Sequence, residues 1–357
     1  MVRGYLLKLG ESPSELHGRR AAAASGMSCR ARALSKRQRR LSTTAHAVSA
    51  ELIAVLVAVT AGQPRVLAIQ DGCALPSGPF EFGHRSLQAG LRAWVEEQTR
   101  HPLGYVEQLY TFADRDRAGD SGQRAISVSY LGLTREVEVS GAQDAGWRDW
   151  YAYFPWEDHR AGPPGILADA VDPRLRDWAE AAPSLAGRAE RRQRAAITFG
   201  LDGRAWNEEL VLQRYELLYE AGLVPEALRD CQAARACSSG QVEEQTAPGL
   251  PMASDHRRIL ATAVARLRAK IKYRPVVFEL MPEGFTLLQL QRAVEGVAGR
   301  PVHKQNFRRL VEQQELVEET GAVTADTGGR PAKLFRFRRE VLAERAAAGT
   351  KPALIRA

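Results

Sequence analysis

Long apolar runs are missing from this chain. The longest, Leu52 to Val59, is eight residues and rich in β-branched side chains, far short of the roughly 20 that cross a bilayer as a helix. A membrane-spanning helix is excluded. Cysteine is also scarce: Cys29, Cys73, Cys231 and Cys237 stand at spacings that match neither a disulfide framework nor a CxxC zinc pair. A reducing, cytoplasmic setting follows. What remains is an ordinary soluble composition, 45% hydrophobic and 26% charged, in 357 residues, enough for two or three domains with their own cores.

Acid is scarce at both ends. Residues 1–46 hold ten Lys and Arg against two Asp and Glu, residues 47–254 hold 20 against 29, and residues 255–357 hold 20 against 11. The overall charge of +8 therefore conceals an acidic middle between two basic ends. Basic segments of this kind meet phosphate, of nucleic acid or of a membrane surface, whereas an acidic middle repels a polyanion. A nucleic-acid partner is thus expected of the C-terminal hundred residues.

Residues 1–46 include RARALSKRQRRLS and have no periodic apolar face and no secretory h-region. Disorder is the expectation. A basic arm, a transit-like segment and a misplaced start upstream of Met27 are the other readings.

From about 47 to 235 the pattern is that of an α/β domain. Glu51 to Thr60 reads as a buried strand and Arg65 to Gln70 as its hairpin partner across Gly62-Gln63-Pro64. Tyr105 to Phe112, Ala125 to Leu133 and Trp150 to Phe154 read as further strands, and Asn207 to Leu223 as an amphipathic helix. The aromatic cluster Trp147 to Trp156 reads as core, with adenine stacking as the alternative. Residues 160–206 read as an insertion with short helices. Leu87, Leu91, Trp94 and Val95 recur at helical spacing after the turn Gly78 to Gly83. A glycine-containing turn leading into a helix that carries carboxylates suits a diphosphate, since carboxylates hold divalent cations and these hold pyrophosphate oxygens.

The stretch Leu75 to Thr99 resembles a Nudix box. Gly78, Arg92, Glu96 and Glu97 stand at the box positions, with Leu75-Pro76 and Glu81 alongside, but His84 and Ala93 replace two glutamates and Thr99 the last glycine. The resemblance implies that the carboxylate lost at Ala93 was a principal metal ligand. Glu96 and Glu97 alone make a poor magnesium cage. The candidate effector-binding residues are Gly78, Glu81, Arg92, Glu96 and Glu97, with Glu96 and Glu97 as the only metal candidates and no catalytic residue.

Residues 236–254 are polar and rich in Gly, Ser and Pro, as in a linker. Asp255 is placed to cap a helix over His256 to Ile271, whose arginines and lysine read as a solvated basic face. Thr286 and Gln289 form a capping box for a helix ending at Gly299, and a second helix starts near Val302. Glu315 to Thr320 and Lys333 to Arg338 read as a hairpin. Helix, turn, helix and hairpin make a winged helix. Lys304, Gln305, Asn306, Arg308 and Arg309 on the second helix suit major-groove bases and phosphate, and Arg330 and Lys333 suit the wing. A protein-interaction winged helix is the alternative.

A degenerate Nudix box followed by this winged helix resembles the NrtR family of Nudix-related transcriptional regulators of NAD metabolism. FTLLQL (285–290), KQNFRR (304–309) and TGGRPAKLFRF (327–337) carry the likeness with the box. It implies a Nudix-like α/β/α sandwich followed by an α+β winged helix-turn-helix domain, divided as a basic extension (1–46), a ligand-sensing domain (47–235), a linker (236–254) and a DNA-binding domain with a leading helix (255–350). It further implies a homodimeric repressor in the bacterial cytoplasm on a double-stranded operator, with ADP-ribose or a related nucleotide as effector, no required cofactor, and magnesium optional. An active Nudix pyrophosphatase with an accessory winged helix is the competing expectation, and a protein-interaction scaffold the third.

Overall fold

The computed structural model describes residues 48–104, 106–113, 125–137, 144–235, 249–324 and 331–340. The basic extension, most of the expected linker and Arg330 lie outside them. In chain order the elements are β1 (Ser49–Thr60), β2 (Gln63–Ala68), β3 (Ser77–Pro79), α1 (Leu87–Thr99), β4 (Val106–Phe112), β5 (Ala125–Leu133), β6 (Gly146–Asp149), α2 (Asp172–Glu180), α3 (Leu185–Phe199), α4 (Val211–Glu220), α5 (Pro225–Arg235), α6 (His256–Ile271), α7 (Leu287–Ala298), α8 (Lys304–Gln313), β7 (Val317–Thr324) and β8 (Ala332–Phe337). Among the described residues no helix is long and apolar enough to cross a membrane.

The first six strands form one mixed sheet in the order β4-β5-β1-β2-β6, with β3 paired to the N-terminal half of β1. β1 runs parallel to β5 and antiparallel to β2. The β1–β2 hairpin turns through Ala61 and Gly62, whose φ values of 52° and 79° suit the twist of a two-residue loop. Leu52 through Ala58 are all buried because both faces of the sheet are covered, which explains the absence of alternation in this run. Leu52, Ala54 and Leu56 pack with Leu67 and with Leu91 and Val95 of α1. The intervening Ile53, Val55 and Val57 join the larger cluster that contains Tyr215 of α4, Leu260 and Val264 of α6 and Val294 of α7. Period-two alternation thus splits one strand between two layers. The result is an α/β/α sandwich in which the first helices of the C-terminal module supply much of the second helical layer.

The sequence expectation of a strand at Trp150 to Phe154 is corrected. The strand is β6, and Trp150–Tyr153 is a single helical turn whose first residues are capped by Asp149, its carboxylate accepting from Tyr151 N at 2.9 Å. Trp150, Tyr151, Tyr153, Phe154 and Trp156 are buried core residues, and Trp147 is half-buried, packed against the cluster that holds Leu52 and Leu91. Gly78 lies in β3 and not in a turn. At α6, Asp255 occupies the N-cap position without making the cap hydrogen bond. The short helices expected within 160–206 are α2 and α3, the latter capped by Ser184 Oγ accepting from Gly187 N.

α6, α7 and α8 with the hairpin β7–β8 form a winged helix. The capping box of α7 is complete: Gln289 N donates to Thr286 Oγ1 at 3.1 Å and Thr286 N to Gln289 Oε1 at 2.7 Å. Gly299, with φ 72°, ends the helix by donating its N–H to Glu295 O. The wing's third strand is reduced to one bridge, in which Phe285 and Phe335 exchange backbone hydrogen bonds of 2.9 and 2.8 Å.

Candidate functional sites

The box segment is built on packing. Gly78 sits directly beneath the indole of Trp94, where a Cβ would collide with the ring, and Trp94 Nε1 donates to Pro79 O at 2.9 Å. His84, at a box glutamate position, accepts from Glu81 N at 3.0 Å through Nδ1, stacks on Phe80 at 5.9 Å and meets Trp94 edge-on at 6.2 Å. Arg92 is turned away from this group. Its guanidinium donates to the carbonyls of Leu103 and Gly104, fixing the segment that leads from α1 to β4. Glu81, Glu96, Glu97 and Ala93 are exposed. No group of three His, Cys, Asp or Glu side chains able to hold a metal ion occurs among the described residues. Two exposed carboxylates are too few donors for a magnesium cage, and the residues present do not fit that ion.

The second candidate site is α8. Phe307 and Val311 are buried and Leu310 is half-buried, while Lys304, Gln305, Asn306, Arg308 and Arg309 are exposed. No acidic residue occurs in its first turn. The positive end of the helix and its basic side chains therefore favour an anion. Lys333 stands on the wing, where Glu319 takes it at 2.8 Å; Arg336 pairs with Glu318 at 2.5 Å and Arg338 with Glu315 at 3.5 Å. The strands of the wing are thus largely self-neutralised, whereas Lys304, Arg308 and Arg309 form no ion pair among the described residues.

The basic face expected of α6 is solvated at Arg266 and in part at Arg258, but not elsewhere. Arg257 and Arg268 are fully buried. Arg268 Nη1 donates to Glu157 at 2.6 Å, and Arg214 of α4 clasps the same carboxylate with Nε and Nη2. Burial pushes the Glu157 pKa up, and the two guanidiniums overcome it, holding the group below the ordinary carboxylate value. Arg257 meets Glu226 at 3.4 Å and bonds Tyr153 O, Arg258 meets Glu216 at 2.8 Å, and Lys270 pairs with Glu107. Much of the positive charge of α6 therefore neutralises acids of the α/β domain and is unavailable to a polyanion. Sequence reasoning missed this network, although a signal was present: Arg257 and Arg268 share one helical stripe with Leu260, Val264 and Ile271.

The same arginine ties the two parts of the fold together. Arg268 Nε donates to Val297 O at 3.0 Å, Tyr151 Oη to Gly296 O at 2.8 Å and His159 N to Gly299 O at 2.7 Å, so three groups grip the C-terminal end of α7. The hairpin turn at Gly62 approaches so closely that a Cβ on Gly296 would strike its carbonyl. Residues Leu250 to Ala253, at the end of the expected linker, bond Ala152 O, the Glu226 carboxylate and Cys73 O. α7, the helix that precedes α8, is anchored to the sheet.

An α/β sandwich carrying a winged helix whose second helix is basic and exposed defines the class: an α/β domain joined to a winged-helix domain. The family model that matches is the NrtR DNA-binding winged helix domain, over residues 277–337. A curated relative from Acinetobacter baylyi, described as an ADPR responsive transcriptional repressor, is 41% identical over 88 residues, which cover 25% of this chain and 35% of that protein. The match therefore spans about a third of the relative's length. Among solved structures, Shewanella oneidensis NrtR complexed with a 27mer DNA is similar at 21% identity and a TM-score of 0.48, covering 84% of this chain and 96% of that one. A MutT/nudix family protein from Enterococcus faecalis is similar at 17% identity and a TM-score of 0.47, covering 88% and 94%.

Proposed function

We propose that the chain is a DNA-binding transcriptional repressor of NAD-metabolism genes, acting as a homodimer in the bacterial cytoplasm, whose α/β domain binds ADP-ribose or a related nucleotide. The observation that carries this reading is α8: an exposed face bearing Lys304, Gln305, Asn306, Arg308 and Arg309, with no first-turn acid, within the residues that match the NrtR DNA-binding winged helix domain. The description of the Acinetobacter relative supports the effector and the sign of regulation. Arg330 and Lys333 are the proposed wing contacts, and Gly78, Glu81, Arg92, Glu96 and Glu97 mark the proposed effector segment. Within it Arg92 and Gly78 shape the backbone, and Glu81, Glu96 and Glu97 are the exposed groups. The boundaries proposed are 47–235 for the sensing domain and 255–350 for the DNA-binding one.

Binding without turnover is the proposed state of the box. Hydrolysis of a diphosphate needs a cation positioned where charge develops, and Ala93 and His84 leave no third ligand beside Glu96 and Glu97. The ligand can shift DNA affinity only by favouring one arrangement of the paired winged helices. A gel shift with duplex from the gene's own upstream region, repeated with ADP-ribose whose integrity is checked afterwards, tests the reading. A specific shift altered by uncut ADP-ribose is expected. Absence of a shift together with cleavage would make the chain a Nudix pyrophosphatase.

A further inference from the structure

We infer that Gln305 and Arg309 are the side chains of α8 that read base edges, an adenine and a guanine about two base steps apart, whereas Lys304 and Arg308 hold phosphate. This rests on the duplex-binding reading above. The burial pattern sets the orientation: Phe307 and Val311 are buried and Leu310 is half-buried. At about 3.6 residues per turn, the direction opposite these three falls between Gln305 and Arg309. Lys304 and Arg308 lie on one flank of that direction and Asn306 on the other.

A helix laid in the major groove points its outermost side chains at the groove floor and its flanking ones at the sugar-phosphate walls. Chemistry agrees with position. Glutamine pairs in bidentate fashion with adenine N6 and N7, and arginine with guanine O6 and N7. Lysine is a point charge without an acceptor, suited to a phosphate oxygen. Gln305 and Arg309 are four residues apart, roughly 6 Å along the axis, which matches two base steps of about 3.4 Å. Asn306 Oδ1 lies 3.5 Å from Arg309 Nη2, beside the guanidinium.

The test is selection of bound duplexes from a randomised library by the full chain and by Q305A, R309A, K304A and R308A. These side chains are exposed, and unchanged thermal denaturation of each variant checks that it folds. The wild type is expected to enrich a motif in which R309A erases a guanine preference and Q305A an adenine preference about two steps away, each weakening the selected site by about tenfold or more. K304A and R308A are expected to keep the motif, weaken all duplexes alike and lower the log-log salt slope by about one each. A wild-type motif that Q305A and R309A leave intact, or that K304A or R308A rewrites, overturns the assignment while the duplex reading stands. A wild type that enriches nothing and binds no duplex overturns both.

Discussion

Replacing Glu157 by Gln would leave Arg214 and Arg268 facing an amide in a region closed to water. Breaking one partner out of such a buried group costs about 3–5 kcal/mol, so E157Q is expected to lower the urea midpoint severely; a loss under about 1 kcal/mol, the range of an exposed pair, would show that the network is solvated. His159 makes a second residue-scale prediction. Its ring stacks on Trp206 at 4.0 Å, and burial, with the nearby Arg214, lowers its pKa to about 4 despite Glu157. The unfolded chain takes up this proton near pH 6.5 and the folded one only near 4, so the unfolded state binds more protons in that window and stability falls as pH falls through it. H159F, which keeps the stack, is expected to flatten that part of the pH dependence of Tm; an unchanged profile would assign the loss to other groups. Neither residue was legible in the sequence, because nothing local marks that Glu157 will meet Arg214 and Arg268 or that His159 will meet Trp206.

Among the elements, α7 is held at its C-terminal end by hydrogen bonds from Arg268, Tyr151 and His159. Alanine at Gly296 would favour the helix by about 1 kcal/mol, but its methyl would enter the Gly62 carbonyl. G296A is therefore expected to lower Tm, consistent with an overpacking cost of about 1–3 kcal/mol, whereas a rise in Tm would contradict the close approach. The capping box offers a milder test: T286A should cost about 1 kcal/mol in chemical denaturation, and no loss would mean that Gln289 alone holds the turn. The elements themselves were largely readable. Eight consecutive apolar residues in β1, helical spacing in α1 and the capping box of α7 are local signals. Trp150–Tyr153 was misread because aromatics suit a strand, and its decisive feature is one cap by Asp149.

Across the whole molecule, charge was legible in amount and not in destination. The basic C-terminal segment points to phosphate, yet Arg257, Arg258, Arg268 and Lys270 meet acids of the α/β domain and the wing strands pair internally. Such pairing depends on which helix packs on which sheet, a fact carried by no local pattern. Among the described residues, Lys304, Arg308 and Arg309 stand together on α8, exposed and without an ion pair, one helix beyond the α7 gripped by the sheet domain. The most direct measurement of this arrangement is the binding of labelled upstream duplex, read by fluorescence anisotropy, to the full chain and to a K304A/R308A/R309A variant, with ADP-ribose binding followed in parallel by calorimetry. The variant should lose specific duplex binding at moderate salt and keep the ligand affinity of the parent. Specific duplex binding at undiminished affinity would contradict the placement of the DNA interface on α8.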